Sequence, residues 1–228
     1  PEDMAWLEAM VNAGNTFLPN KTIDKKGIWY GDYIYSDVNG DGVYGDANDY
    51  MFQGTSQTPK FYYGLQFELG WKGIDFSMLW NGAGGSAAYW RYVGFNAYST
   101  LYHFTLPKKI AYDHYFYDPM NPEDPRTNIT SKHGRLTMNY GSEQNGANAY
   151  STLFLYKTDY LRLKNVTLGY TFPEKWMRKA HISSLRVFFS GENLLTFTEW
   201  PGMDPEITDK MNYYALLRQY SFGLSIKF

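Results

Sequence analysis

Apolar and polar residues alternate with a period of two over most of the chain from residue 60 onward. Between Phe61 and Gly70 every odd-numbered position is aromatic or leucine, whereas the even-numbered positions carry Tyr, Gly, Gln and Glu. The alternation resumes at Ile74 after the short stretch 71–73. Because successive side chains of a strand point to opposite faces, this pattern predicts two antiparallel strands joined by a tight turn.

Three further segments show the same alternation, which brings the prediction to five long strands. They are residues 159–172, 185–190 and 220–228. In the first of them, Leu161 and Leu163 are out of phase with the apolar positions that begin at Val166. We therefore expect a β-bulge or a change of environment near Asn165.

The connections between these strands alternate in length. In chain order they are very short (71–73), very long (82–158), shorter (173–183, with one helical turn) and long (193–217). Outer-membrane barrels join their strands by short periplasmic turns and long extracellular loops. The pattern predicts an all-β fold, a transmembrane antiparallel β-barrel with long extracellular loops. Five strands cannot close such a barrel, so we expect the other strands to come from residues upstream.

The prediction divides the chain into two regions. Residues 1–59 form an extracellular loop region with an acidic, Asp/Asn-rich turn, and residues 60–228 form the barrel strands with their loops. The apolar spacing over residues 1–13 predicts a helix that ends at Gly14.

Composition excludes several classes of protein. The net charge is −2, with 21 Lys+Arg against 23 Asp+Glu, which gives no reason to expect a nucleic-acid partner. There is no cysteine, so a disulfide framework and a thiolate metal site are excluded. No stretch of about 18 apolar residues occurs, so transmembrane helices are excluded as well. The aromatic content of 19% is high, and aromatic residues accumulate in sugar-binding clefts and at membrane interfaces.

An acidic run at residues 37–49 resembles the beginning of an EF-hand calcium loop. Oxygen ligands at positions 1, 3 and 5, then a glycine at position 6, suit Ca²⁺. The candidate metal ligands are Asp37, Asn39, Asp41, the Val43 carbonyl, Asp46 and Asp49. Position 12 is Asn48 rather than a carboxylate, so the run departs from the full pattern. The prediction is a structural Ca²⁺ ion, and the alternative is a solvated turn of the type that Asp, Asn and Gly favour.

Aromatic residues cluster in the longest connection and at the strand end before it. The candidate substrate-binding residues are Trp80, Trp90, Tyr92 and Tyr98. Flat rings with polar edges suit stacking on a sugar or contact with a peptide, and the alternative is that they pack the loop. No nucleophile elbow, phosphate-binding loop or paired histidines at metal-ligand spacing occur, so we predict that the chain is not an enzyme.

Several segments resemble the C-terminal region of SusC-like TonB-dependent transporters from the outer membranes of Bacteroidetes-type bacteria. They are the acidic run at 37–49, TPKFYYGLQFELGWKGIDFSMLWNGAGG at 58–85, YLRLKNVTLGYTFP at 160–173, SSLRVFFSGENLLTFTEWPGMDPE at 183–206 and the terminal SFGLSIKF. These segments occur in the family's order and together span residues 37–228.

The resemblance implies a roughly 22-stranded barrel, of which this chain supplies about the last five strands. It also implies a plug domain and a segment that contacts the TonB complex, neither of which is among these residues. The implied partners are outer-membrane lipid, a SusD-like surface lipoprotein that lids the barrel, and a glycan or peptide substrate. Phe228, the final aromatic residue, resembles the signal that barrel-assembly machinery recognises.

The expected function is nutrient import across the bacterial outer membrane. The alternative is a secreted carbohydrate-binding β module braced by calcium, which would use the same aromatic residues and acidic run. A third possibility, a glycoside hydrolase fragment, requires two carboxylates about 5–10 Å apart in a cleft.

Overall fold

The computed structural model describes residues 2–19, 21–90, 108–136, 151–208, 214 and 216–228. The chain divides into two compact units. One contains Pro1–Gly54 and Tyr89–Leu155, and we call it the loop unit. The other contains Thr55–Ala88 and Tyr156–Phe228, and we call it the sheet unit.

The chain contains five long strands, four short strands and several short helices in the part that the structure describes. The strands are β1 (Thr16–Phe17), β2 (Val43–Tyr44), β3 (Phe61–Trp71), β4 (Ile74–Gly84), β5 (Ala87–Tyr89), β6 (Leu155–Lys157), β7 (Tyr160–Thr171), β8 (Ser184–Thr198) and β9 (Gln219–Lys227). The helices are α1 (Glu2–Asn12), α2 (Lys108–Tyr112) and α3 (Glu174–Met177), with 3₁₀ turns at Ala47–Asp49, Thr152–Phe154 and Arg178–Ala180. Over the described ranges, none of the helices is long and apolar enough to cross a membrane.

The sheet unit is built on one antiparallel sheet in the order β3-β4-β7-β8-β9. The five strands predicted from the alternation are therefore confirmed. They contain 11, 11, 12, 15 and 9 residues, and about 9–11 tilted residues suffice to cross a bilayer. Gly84, Tyr160 and Thr198 lie at one end of the sheet, which we call the long-connection end, and β9 begins short of that end, where Gln219 pairs with Glu192.

The hairpin between β3 and β4 turns in two residues. Trp71 pairs with Ile74, and both intervening residues have positive φ, +48° at Lys72 and +89° at Gly73. Two positive φ values suit the right-handed twist of a hairpin, and glycine adopts them without strain. A Cβ on Gly73 would also lie 2.6 Å from the Thr171 carbonyl oxygen, so only glycine fits this turn.

A β-bulge interrupts β7, as its sequence predicts. On β4, Leu79 and Trp80 are consecutive, but their partners on β7 are Asn165 and Leu163. Lys164 is the extra residue, and it reverses the phase of the strand. Leu163 therefore lies on the same face as the apolar residues that follow the bulge.

Strand β8 is longer than predicted. We expected a strand at 185–190 and a loop from residue 193, but β8 continues to Thr198. The pairing with β7 skips two residues of β8, Asn193 and Leu194, and then resumes at Leu195. Asn193 has a φ of +52°, a conformation that asparagine tolerates, and it forms a bulge with Leu194. These two residues break the alternation of apolar and polar positions, so the sequence pattern did not show that the strand continues.

The register separates apolar from polar side chains in two adjacent rows that cross all five strands. One row of paired residues reads Leu69, Phe76, Leu168, Phe189 and Phe222 from β3 to β9. The adjacent row on the opposite face reads Glu68, Ser77, Thr167, Ser190 and Ser221. We call these the apolar face and the polar face.

The loop unit contains two small hydrophobic clusters. The first consists of Leu7, Phe17 and Ile28, with Met4, Met10, Val11, Ile23 and Tyr44 packed around it. The second consists of Ile110 and Phe154, with Tyr33 and Leu136. In the first cluster, α1 packs near the parallel pair β1–β2, and the helix ends before Gly14, which has a φ of +95°.

Candidate functional site

The polar face carries two groups of ion pairs. Near the end of the sheet opposite the long-connection end, Arg186 of β8 pairs with Asp75 of β4 across Gly169 of β7. The distance from Arg186 Nε to Asp75 Oδ1 is 2.9 Å. A Cβ at Gly169 would lie 2.5 Å from both side chains, so a larger residue there would displace the pair. This pair is partly exposed and ties strands of the sheet to one another.

The second group surrounds Arg162 of β7, whose side chain is only 2% exposed. Its guanidinium donates to Asp204 Oδ1 at 2.9 Å and to Glu206 Oε2, and its Nε donates to Thr196 Oγ1 at 3.1 Å. The Tyr160 hydroxyl donates to the other oxygen of Glu206 at 2.6 Å. The Tyr160 ring also lies 5.2 Å from the guanidinium carbon. We call these five residues the Arg162 cluster.

The two carboxylates of the Arg162 cluster come from the connection between β8 and β9, and they hold that connection on the polar face. Asp204 is buried, and its carboxylate also accepts the Glu206 backbone N–H at 2.9 Å. Trp200, at the start of the connection, is buried as well, and its backbone N–H donates to Thr198 Oγ1 at 3.1 Å. The described part of the connection up to residue 208 therefore folds back over the sheet.

The sequence analysis missed the Arg162 cluster. Its signal is an arginine between two leucines, Leu161 and Leu163, together with Asp204 and Glu206 two positions apart in a later connection. The bulge at Lys164 obscures this signal, because a strict count of two from Val166 would place Arg162 on the apolar face. Only the observed register returns it to the polar face.

The acidic run at 37–49 forms a turn in which carboxylates accept hydrogen bonds from nearby backbone N–H groups. Asp37 accepts from Gly40 at 2.6 Å and from Gly42 at 2.9 Å. Asp41 accepts from Val43 at 2.8 Å. The Asn39 side chain donates to Asp41, and Asp46 accepts from the Asn48 backbone at 2.7 Å. These bonds span at most five residues, so the turn stabilises itself locally.

Asp49 closes this turn. Its carboxylate accepts from the Val38 backbone at 2.6 Å, from Gly45 at 2.6 Å and from Asp46 at 3.2 Å. These hydrogen bonds, that of Val38 first, hold the pKa of Asp49 below its ordinary value of 3.8. The residue also lines a pocket of about 480 Å³ whose wall includes Tyr35 and Tyr89.

The arrangement of the acidic run neither establishes nor removes the predicted calcium ion. Over the residues that the structure describes, no three side chains of His, Asp or Glu converge at distances suited to a metal. A carboxylate oxygen that accepts one N–H retains a second lone pair, so the hydrogen bonds above do not exclude a ligand role. Calcium at Asp37, Asn39, Asp41 and the Val43 carbonyl, closed by Asp46 or Asp49, stays a prediction.

The structure separates the predicted substrate-binding aromatics. Trp80 lies on the apolar face, paired with Leu65 and Leu163, and its ring stacks on Phe197 at 6.4 Å. That placement favours packing over contact with a polar substrate. Trp90 belongs to the loop unit, where its backbone N–H donates to the Phe154 carbonyl at 2.8 Å.

The remaining predicted residues are placed as follows. Tyr92 and Tyr98 lie outside the described residues. Phe228 follows the last residue of β9 and is 90% exposed. A role of Phe228 in barrel assembly stays a prediction.

Comparison with known proteins supports the resemblance seen in the sequence. No protein-family model matches the chain. A TonB-dependent receptor P3 of Formosa agariphila is 36% identical over a match that covers 33% of this chain and 9% of the receptor. The TonB-dependent receptor SusC of Bacteroides thetaiotaomicron is 30% identical over 34% of this chain and 8% of that protein. The chain thus matches less than a tenth of the length of these relatives.

Solved structures with the same fold include three of RagAB. The RagAB peptide importer matches in its open-open state, with a TM-score of 0.61 and 24% identity over 90% of this chain and 21% of that chain. Its closed-closed state gives a TM-score of 0.62 with 24% identity over 90% and 22%. A further structure of the RagAB peptide transporter gives 0.57 with 23% identity over 75% and 17%. The predicted resemblance and the all-β barrel fold are confirmed.

Proposed function

We propose that this chain, a segment similar in sequence and fold to SusC-like TonB-dependent receptors, forms part of the wall of an outer-membrane barrel that imports a nutrient. The apolar face would contact lipid and the polar face would line the lumen. The long-connection end would face the cell exterior, because barrels of this type have short periplasmic turns and long extracellular loops.

The observation that carries this proposal is the exposure of the apolar face. Leu168, on the middle strand of the sheet, is 50% exposed, and Phe222 is 85% exposed. A single sheet in water would not present such a continuous apolar surface, whereas lipid covers it at no cost. In a sandwich module the same residues would be covered by a second sheet, so the exposure favours the barrel over the carbohydrate-binding alternative.

Aromatic residues at both ends of the apolar face also support the proposal. Phe61, Tyr63 and Phe197 lie toward the long-connection end, and Trp71 and Tyr170 lie toward the other. Amphipathic rings concentrate at the two membrane–water interfaces of a barrel, because the ring is apolar and its edge meets water.

The nutrient we propose is a peptide or an oligosaccharide. RagAB is described as a peptide importer, and the curated relatives are TonB-dependent receptors. Both classes of nutrient offer amides or hydroxyls to a lumen lined by Ser, Thr and carboxylate side chains. The rest of the receptor would couple import to the TonB complex, and a surface lipoprotein would close the long-connection end. No covalent chemistry is proposed for these residues.

The test compares two arginine substitutions at nearly the same depth in the wall of the full-length receptor. Leu168→Arg places the charge on the apolar face, and Ser190→Arg places it on the polar face. We expect Leu168→Arg to destabilise the folded barrel by about 1–2 kcal/mol, because an arginine on the lipid-facing side between midplane and interface loses much of its hydration, and Ser190→Arg to change it far less. The free energy of unfolding in lipid vesicles and the amount of heat-modifiable receptor in the outer membrane measure both effects.

Equal effects of the two substitutions would contradict the assignment of faces. Recovery of the native protein from a detergent-free aqueous fraction, with Leu168→Arg improving its solubility, would instead favour the secreted module. Uptake of labelled peptides and labelled oligosaccharides by cells with and without the receptor then distinguishes the two nutrient classes.

A further inference from the structure

We propose that Arg162 is a positioning residue that holds the β8–β9 connection over the polar face at the long-connection end and so fixes the outer opening of the lumen. The identification of the polar face with the lumen rests on the proposed function. The attachment of the connection to the sheet rests only on the contacts of the Arg162 cluster.

The position of Arg162 in the register places the anchor near the outer rim. Arg162 pairs with Asn81 of β4 and Thr196 of β8, and each of those residues lies within three positions of its strand's end. Side chains at this height on the polar face point into the opening of a barrel rather than into its middle. A connection attached here covers part of the opening.

The burial of the ions makes the attachment strong. The side chains of Arg162 and Asp204 are 2% and 3% exposed, so either charge would lie unpaired in a poorly solvated site if the connection moved away. Removing one partner of a buried ion pair is strongly destabilising for that reason. The connection therefore has one favoured position, fixed by charge pairing.

Glu206 adds a second, independent link. Its carboxylate accepts from Arg162 through one oxygen and from the Tyr160 hydroxyl through the other, so two residues of β7 hold it. Its side chain is 37% exposed, so unlike Arg162 and Asp204 it reaches the solvent of the opening. Substitution of Glu206 removes one ion pair and leaves that between Arg162 and Asp204 in place.

The ion pair between Arg186 and Asp75 provides a matched control. It lies on the same polar face and joins an arginine to a carboxylate, but both partners belong to strands, and neither bonds to those residues of the β8–β9 connection that the structure describes. Loss of this pair should leave the connection in place. A general effect of removing an arginine from the wall would appear in both variants.

The experiment measures the mobility of a nitroxide attached at Met203, which is 67% exposed and lies within the connection. The full-length receptor, carrying Met203→Cys as its labelled position, is compared in outer-membrane vesicles with added Arg162→Met, Arg162→Lys or Arg186→Met. We expect loss of the immobile component of the spectrum in Arg162→Met, partial rescue in Arg162→Lys because it retains the charge, and no change in Arg186→Met. Glu206→Gln should give an intermediate loss and decides the matter if Arg162→Met does not assemble.

An unchanged spectrum in an assembled Arg162→Met receptor, or an equal loss in Arg186→Met, would overturn the proposal. Heat-modifiability and uptake are measured on the same samples. An assembled, transporting receptor with an unaffected connection means that only the role of Arg162 is wrong. Absence of the wild-type receptor from the outer membrane means that the proposed function is wrong.

Discussion

Two loops of this chain are both rich in carboxylates, but they are held in different ways. The turn at 37–49 uses its carboxylates to accept backbone N–H groups a few residues away, and those carboxylates are exposed or only partly buried. The connection after Thr198 sends Asp204 and Glu206 to an arginine some 40 residues earlier in the chain, in a buried site. The first loop is stabilised by hydrogen bonds among its own residues. The second loop is stabilised by ion pairs to β7 and therefore forms only when that strand is in register.

Deletion of Lys164 should break the second loop and spare the first. Without the bulge, Arg162 and Tyr160 would turn to the apolar face, and Leu163 would turn to the polar face. We expect the largest effect of the four predictions here, because loss of the buried ion pairs costs about 3–5 kcal/mol. An arginine on the lipid face adds a further cost that depends on its depth. The measurement is the fraction of heat-modifiable full-length receptor.

Lys164→Ala is the control for this deletion, since it removes the side chain but retains the residue count and so the register. It should assemble nearly as well as the wild type. If the deletion assembled equally well, with the protection of residues 37–49 from amide exchange unchanged, the dependence of the Arg162 cluster on the bulge would be refuted.

Asp49→Asn should loosen the first loop without affecting the second. An asparagine amide offers one acceptor oxygen where the carboxylate offers two, so the N–H groups of Val38, Gly45 and Asp46 cannot all be satisfied. We expect faster amide exchange at these three residues and no change in barrel assembly. Asp46→Asn serves as the control, because asparagine caps a helix N-terminus as well as aspartate does.

The same residue predicts a pH dependence. The folded pKa of Asp49 lies below 3.8, so the stabilisation that it gives is complete above that value and is lost as the pH falls through the folded pKa. In the wild type, exchange at Val38 corrected for its intrinsic rate should therefore rise below pH 3.8. A flat profile in the wild type, or the same rise in Asp49→Asn, would show that another group closes the turn.

Added calcium should have the smallest effect of these changes, and it should act on the first loop only. If the acidic run binds Ca²⁺ as its ligand spacing predicts, added calcium slows amide exchange between residues 37 and 49, and Asp41→Asn reduces that effect. Exchange in the Arg162 cluster should not respond. Equal exchange in calcium and in a chelator would identify the run as a turn stabilised by its own backbone alone.

The contrast between the two loops also explains which features could be predicted from the sequence and which could not. Strands β3 and β4 were predicted well because their apolar positions stay in phase over their full length. The acidic turn was visible because all its partners lie within one short window. The Arg162 cluster was not visible, since its members come from two distant segments and one of them changes face at a bulge. The end of β8 was missed for a related reason, because the excursion at Asn193 and Leu194 imitates a turn.

The bulges have a consequence for how relatives of this chain can vary. Between the same two rungs of the ladder, β4 has no intervening residue, β7 has Lys164, and β8 has Asn193 and Leu194. A lineage that lost the extra residue of β7 alone would turn the side chains at the start of that strand to the opposite faces. A compensating change in the length of the neighbouring strand would restore the pairing between the two strands. Length changes in these strands should therefore be inherited as linked events, while the connections at the long-connection end are free to grow or shrink one residue at a time.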